Sequence, residues 1–167
     1  SIAGKPDGTF RNIYSSAEVE AGRWNGGIFG QITGAAAPII ENCWFDGSVS
    51  SARGGGKNYV GGLVGDAYAE TTTITNCLNT APVVASNTSI KDDLPYVGGL
   101  VGKVSGTVNL ISSFNSGKIT CGVAGSNNTG YGCFVGGVTG TLNLDANTPS
   151  YATSESCGYR GYTGTGN

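Results

Sequence analysis

The chain has 167 residues, with nine Lys and Arg against eleven Asp and Glu, no His, no Met and a formal net charge of −2. Charges so sparse give no electrostatic case for nucleic acid or an anionic membrane surface, both of which call for clustered Lys and Arg, and no apolar run reaches the length needed for membrane insertion. Without His there is no Ser-His-Asp or Cys-His arrangement and no His-Glu-x-x-His motif, so no catalytic centre of those kinds, no metal site and no cofactor are expected.

Taken in chain order, the first recurring phrase is Phe10-Arg11-Asn12-Ile13-Tyr14. It returns as Ile40-Glu41-Asn42-Cys43-Trp44, Ile74-Thr75-Asn76-Cys77-Leu78 and Leu110-Ile111-Ser112-Ser113-Phe114, and five residues beyond each copy stands Val19, Val49, Val83 or Ile119. A second phrase follows, in which an aromatic residue (Trp24, Tyr59, Tyr96, Phe134) precedes a glycine pair. Its copies are Asn25-Gly26-Gly27-Ile28-Phe29-Gly30, Val60-Gly61-Gly62-Leu63-Val64-Gly65, Val97-Gly98-Gly99-Leu100-Val101-Gly102 and Val135-Gly136-Gly137-Val138-Thr139-Gly140. Counted from Gly26, Gly61, Gly98 and Gly136, the spacings are 35, 37 and 38 residues. A fixed period in this range marks an array of stacked units.

Each unit reads as short strands rich in Val, Ile, Thr and aromatics, punctuated by Gly, Asn and Ser. Thirty glycines leave no long helical segment. The expected fold is all-β: a parallel β-solenoid of about four full 34–38-residue repeats plus one degraded terminal rung. It forms one repeat domain over 1–167, divided near 10–39, 40–73, 74–109, 110–143 and 144–167. The last unit is placed by aligning Gly140-Thr141-Leu142-Asn143-Leu144 with Gly106-Thr107-Val108-Asn109-Leu110. Stacking predicts internal columns of Ile40, Ile74 and Leu110, and of Val49, Val83 and Ile119. It also predicts an amide ladder of Asn12, Asn42 and Asn76 at a bend, with Ser112 in the fourth rung. Trp44, in a column with Tyr14, Leu78 and Phe114, is expected in the core, and Trp24 is the better candidate for exposed contact.

Gly-Gly-Leu-Val-Gly with the upstream Ile-x-Asn-Cys phrase resembles the GLUG motif, and the likeness covers 10–140. That motif recurs in bacterial surface and secreted proteins, including adhesin-like chains and some IgA-specific peptidases. The resemblance implies a β-solenoid on an exported protein, extracellular or on the bacterial cell surface. It implies no activity.

Among the five cysteines, Cys43 and Cys77 share a column and read as small buried packing residues, with a bridge between neighbouring rungs as the alternative. Cys121 and Cys133 lie at the two ends of the longest inter-strand loop and are placed to staple it. A bridge from Cys133 to Cys157 competes if the last unit sets Cys157 level with Cys133. Between the β-branched column and the aromatic column the loops lengthen from 4 to 9, 12 and 14 residues. Insertions gathered on one side often form the binding face of a repeat protein. The expected lobe holds Lys57, Asn58, Lys91, Asp92, Asp93, Asn127, Asn128 and Tyr131, a mixture suited to a neutral glycan.

No paired carboxylates converge in the sequence, so the expected role is not enzymatic. It is a structural or adhesive segment, a spacer whose loop lobe meets a glycan or another surface ligand. The alternative is a filament subunit that stacks through its terminal rungs, because an uncapped rung offers unpaired strand edges. Absence of an initiator Met suggests a processed or excised chain.

Overall fold

The structure, a computed structural model, describes residues 2–4, 6–35, 37–52, 58–87, 95–123, 134–136, 139–142, 151–155 and 158–159. Short strands follow one another around a coil, and each coil lies on the last, so that every strand pairs in parallel with its counterpart one repeat away. Five strands make a coil, because turn residues interrupt each apolar run.

Sheet 1 stacks Thr9–Arg11, Ile39–Glu41, Thr71–Thr75, Thr107–Ile111 and Tyr151–Glu155. Sheet 2 stacks Tyr14–Ser15, Trp44–Phe45, Leu78–Asn79, Phe114–Asn115 and Gly158–Tyr159. Sheet 3 contains Glu18–Glu20, Ser48–Ser51, Val83–Asn87 and Ile119–Val123, and sheet 4 contains Trp24–Gly26, Asn58–Gly61, Pro95–Gly98 and Phe134–Gly136. Sheet 5 closes the coil with Ile2–Gly4, Phe29–Gly34, Val64–Ala69, Val101–Val104 and Thr139–Leu142. This is the parallel β-solenoid expected from the repeat.

The register aligns like with like. Phe10, Ile40, Ile74 and Leu110 pair in succession, as do Val19, Val49, Val83 and Ile119. The three later members of each set are sealed in the core. Between sheets 1 and 2 the chain bends at Asn12, Asn42, Asn76 and Ser112, which all have left-handed backbones with φ of 57°, 54°, 51° and 47°. Asn tolerates that conformation better than other residues with a side chain, which explains why an exposed polar residue recurs there. The Asn42 amide donates to Asn12 Oδ1 at 3.5 Å, one step of the expected ladder.

Cys43 and Cys77 are buried free thiols. Each Sγ donates to carbonyls of its own rung and the one before: Cys43 to Glu41 and Phe10, Cys77 to Thr75 and Ile40. Burial pushes the Cys77 thiol up to about 12. Buried and unbridged, both are packing residues, as the shared column suggests.

The alignment of the last unit needs correction. Thr107, Val108 and Leu110 pair with Tyr151, Ala152 and Ser154, whereas Thr139–Leu142 continues sheet 5 against Val101–Val104. The Gly-Thr-x-x-Leu similarity is thus between strands on different sides of the coil. Gly158–Tyr159 extends sheet 2 while Phe134–Gly136 extends sheet 4.

Candidate functional site

Two aromatic columns run along the stack, and the structure treats them in opposite ways. The first is Tyr14, Trp44, Leu78 and Phe114, paired in register on sheet 2. Tyr14 is 58 % exposed, Trp44 42 % and Phe114 37 %, with Leu78 half-buried. The expectation of a core column is therefore wrong. Passing through the left-handed Asn42 shifts the alternation by one residue, so that Cys43 and Phe45 turn inward and Trp44 turns out. Tyr14 and Trp44 touch, with ring centroids 5.1 Å apart and planes at 56°. The indole is also fixed from its polar edge: Nε1 donates to Thr80 Oγ1 of the next rung at 2.9 Å. Thr80 Oγ1 lies 2.5 Å from Asp46 Oδ1 and 3.2 Å from the Phe45 carbonyl, either of which accepts its proton.

The second column is Trp24, Tyr59 and Tyr96 on sheet 4. Here the glycine pair folds sheet 4 back against sheet 5 with backbone on backbone. A Cβ on Gly61 would land on the Val64 carbonyl oxygen and 2.6 Å from Gly102 N, and one on Gly102 would sit 2.6 Å from Val60 N. So close an approach leaves room for glycine alone. The rings consequently lie across the outer residues of sheet 5. Lys103 Nζ sits 4.8 Å from the Tyr59 ring centre, 5.8 Å from that of Tyr96 and 3.3 Å from Tyr59 Oη. Tyr59 is only 4 % exposed, and the Tyr59 and Tyr96 rings meet edge to face at 5.2 Å. Trp24 is half-buried, with the Arg23 guanidinium 5.1 Å from its ring centre.

Beside this column, Asp66 is buried and accepts hydrogen bonds from Gln31 Nε2 at 3.0 Å and Ser105 Oγ at 3.1 Å. Burial pushes its carboxyl above the ordinary value, while those hydrogen bonds, Lys103 and Arg23 pull it back. No second carboxylate is its partner in these contacts. Among the described residues no cluster of three or more metal-ligating side chains forms.

Of the residues expected in the loop lobe, Lys57, Lys91, Asp92, Asp93, Asn127, Asn128 and Tyr131 lie outside the described residues. The strands that flank those loops do stack in register, Ser48–Ser51 under Val83–Asn87 under Ile119–Val123, so all three loops spring from one corner of the coil. Asn58 falls within the described residues and is corrected. It opens the strand Asn58–Gly61, shares the inward face with Val60 by alternation, and is 0 % exposed. Both polar atoms of its side chain are buried without a hydrogen-bond partner. Cys121 is disulfide-bonded, with its other half outside the described residues, as are Cys133 and Cys157. A shallow depression of about 400 Å³ beside the first turn of that corner is lined, among the described residues, by Glu20, Ala21, Gly22 and Ala52, none of them aromatic.

No family model and no curated protein matches the chain. Its fold is similar to that of a solved structure described as a putative immunoglobulin A1 protease from Bacteroides ovatus, with a TM-score of 0.62 and 23 % identity. The likeness covers 87 % of this chain and 38 % of that one, so the chain spans well under half the length of the protein it matches.

Proposed function

We infer that the chain is a non-enzymatic structural and adhesive segment of an exported bacterial protein, a solenoid spacer that carries a recognition surface along its length. One observation carries the reading: five parallel sheets held in register over successive rungs, an arrangement that adds length rung by rung and offers long side surfaces for recognition. The buried carboxylate that draws most attention, Asp66, is held by Gln31, Ser105 and Lys103 instead of facing a second acid. Retaining or inverting hydrolysis of a glycan needs two carboxyl groups across one bond. The GLUG-like phrase supports an extracellular or cell-surface setting, and so does a bacterial structure of the same fold. That protein's described activity concerns a chain of which this one spans 38 %, and the absence of His here argues against housing a Ser-His-Asp or Cys-His centre in this segment.

In this role the partners are a neutral glycan or another surface ligand, met by the corner of long loops or by a side of the stack. Self-assembly through the ends is opposed by the first rung. That rung is the edge of four sheets and carries Arg11, Glu18, Glu20 and Arg23, and charged residues at such edges discourage further pairing. Small-angle scattering with negative-stain microscopy of the purified chain tests the reading. The expected result is a monomer elongated along the stacking axis. Regular fibres at micromolar concentration would replace it with the filament subunit.

A further inference from the structure

We propose that the ladder of Tyr14, Trp44, Leu78 and Phe114 on sheet 2 is a binding site for a neutral polysaccharide chain lying along the solenoid axis; the proposal rests on the adhesive part of the reading above.

Four features of the ladder argue for this ligand. The first is its shape. Sheet 2 strands are two residues long, and one residue of each faces outward. Four rungs at the usual strand separation give a strip roughly 14 Å long and one side chain wide, on the order of 100 Å². A stable protein partner needs about 800 Å² on each side, so a second copy or a folded protein gains too little here. A linear chain of sugar rings, apolar on the ring faces and hydroxylated at the edges, matches a narrow apolar strip.

The second is what borders the strip. Asn12, Asn42, Asn76 and Ser112 run along one side, and Ser16, Asp46, Thr80 and Ser116 along the other. All except half-buried Thr80 are exposed. An aromatic floor with amide and hydroxyl groups on both sides has the composition of sites that orient a hydroxyl-rich ligand. Charge is the third feature. Among these twelve positions Asp46 carries the sole charge, so nothing clamps an anion and an acidic polysaccharide is disfavoured.

Pre-organisation is the fourth. An exposed Trp ordinarily samples several rotamers, but Trp44 is tied to Thr80 through Nε1 and braced by the Tyr14 ring. Ordering that would otherwise oppose binding is already in place in the free chain. The ladder ends where Phe114 meets Gly158, a rung with no side chain to offer.

Affinity gel electrophoresis of the whole chain tests the site, with laminarin, xyloglucan and mannan as neutral probes and polygalacturonate as the acidic control. The expected result is retardation by at least one neutral glycan and none by polygalacturonate. Trp44→Ala and Tyr14→Ser should each weaken retardation about tenfold, the equivalent of one lost stacking contact. Tyr68→Ser, an exposed tyrosine on sheet 5, should leave it unchanged. A thermal melt of each variant shows that it is folded. Retardation that survives both ladder substitutions overturns the site but leaves the adhesive reading standing. Failure of every neutral glycan to retard the chain overturns the site and the glycan part of the adhesive reading, which then rests on another surface ligand.

Discussion

The sheet 4 column places an aromatic residue in each of four rungs and the sheet 2 column in three of four, yet the first is covered and the second exposed. Tyr59 is shut against Lys103 by a turn in which glycines let two backbones touch. Trp44 stands on a side of the coil against which no other strand packs among the described residues, and the Thr80 hydroxyl of the next rung and the Tyr14 ring hold it. The difference lies in the chain next to each ring. A glycine pair reverses the path and brings a neighbouring sheet over the aromatic, whereas a left-handed Asn merely turns the corner and leaves the aromatic outside. An aromatic repeat therefore reports function only when nothing folds back upon it.

The contrast can be broken most forcefully at the glycine corner. Gly61→Ala should destabilise the chain by about 4 kcal/mol or prevent folding, because the added methyl meets backbone on two sides that cannot move independently. A thermal melt close to that of the parent would mean the corner is looser than described. Next in size, Tyr59→Ala should cost about 3 kcal/mol through lost packing and loss of the Lys103 contact. Chemical denaturation measures it, and a change below about 1 kcal/mol would remove the claim that this column is structural.

Asp66 supplies a smaller, pH-dependent effect. Its folded-state carboxyl titrates above the ordinary value, chiefly through burial, so the folded chain holds the proton more tightly than the unfolded one. Stability from this group therefore falls as pH rises through the window from the unfolded value to the raised folded one, and it is greater in mild acid than at neutral pH. The Asp66→Asn variant should lose that component of the pH dependence. Parallel stability curves for variant and parent would refute it. Smallest of all, Tyr14→Ser on the exposed ladder should change stability by less than about 0.5 kcal/mol. The same measurement that penalises Tyr59→Ala would then pass over Tyr14→Ser, which separates a structural column from one free to bind.

Much of this architecture was legible beforehand. The period, the parallel stacking, the buried Ile40–Ile74–Leu110 and Val49–Val83–Ile119 columns, the bend at Asn12, Asn42 and Asn76, and the free buried pair Cys43 and Cys77 all follow from like residues recurring at like positions. Repetition is a property of the sequence, and stacking converts it directly into register. The facing of Trp44 was not legible, because alternation counted from Ile40 places it inside and the left-handed residue at 42 reverses that count. Asn58 reads as a loop residue from its neighbours Gly54, Gly55, Gly56 and Lys57, and only pairing with the rungs on either side makes it the buried start of a strand. The sequence misplaces the last unit for a related reason. Gly-Thr-x-x-Leu recurs on two sides of the coil, and local similarity cannot say which side a strand joins.

The sequence by itself determined that this chain stacks, in which register its first four units do so, and which apolar columns fill the core, because those depend on periodicity alone. Tertiary structure decided which aromatic column is covered, since that depends on where a turn of a few residues sends the next strand. One left-handed backbone or one glycine pair changes that direction without altering the hydrophobic pattern.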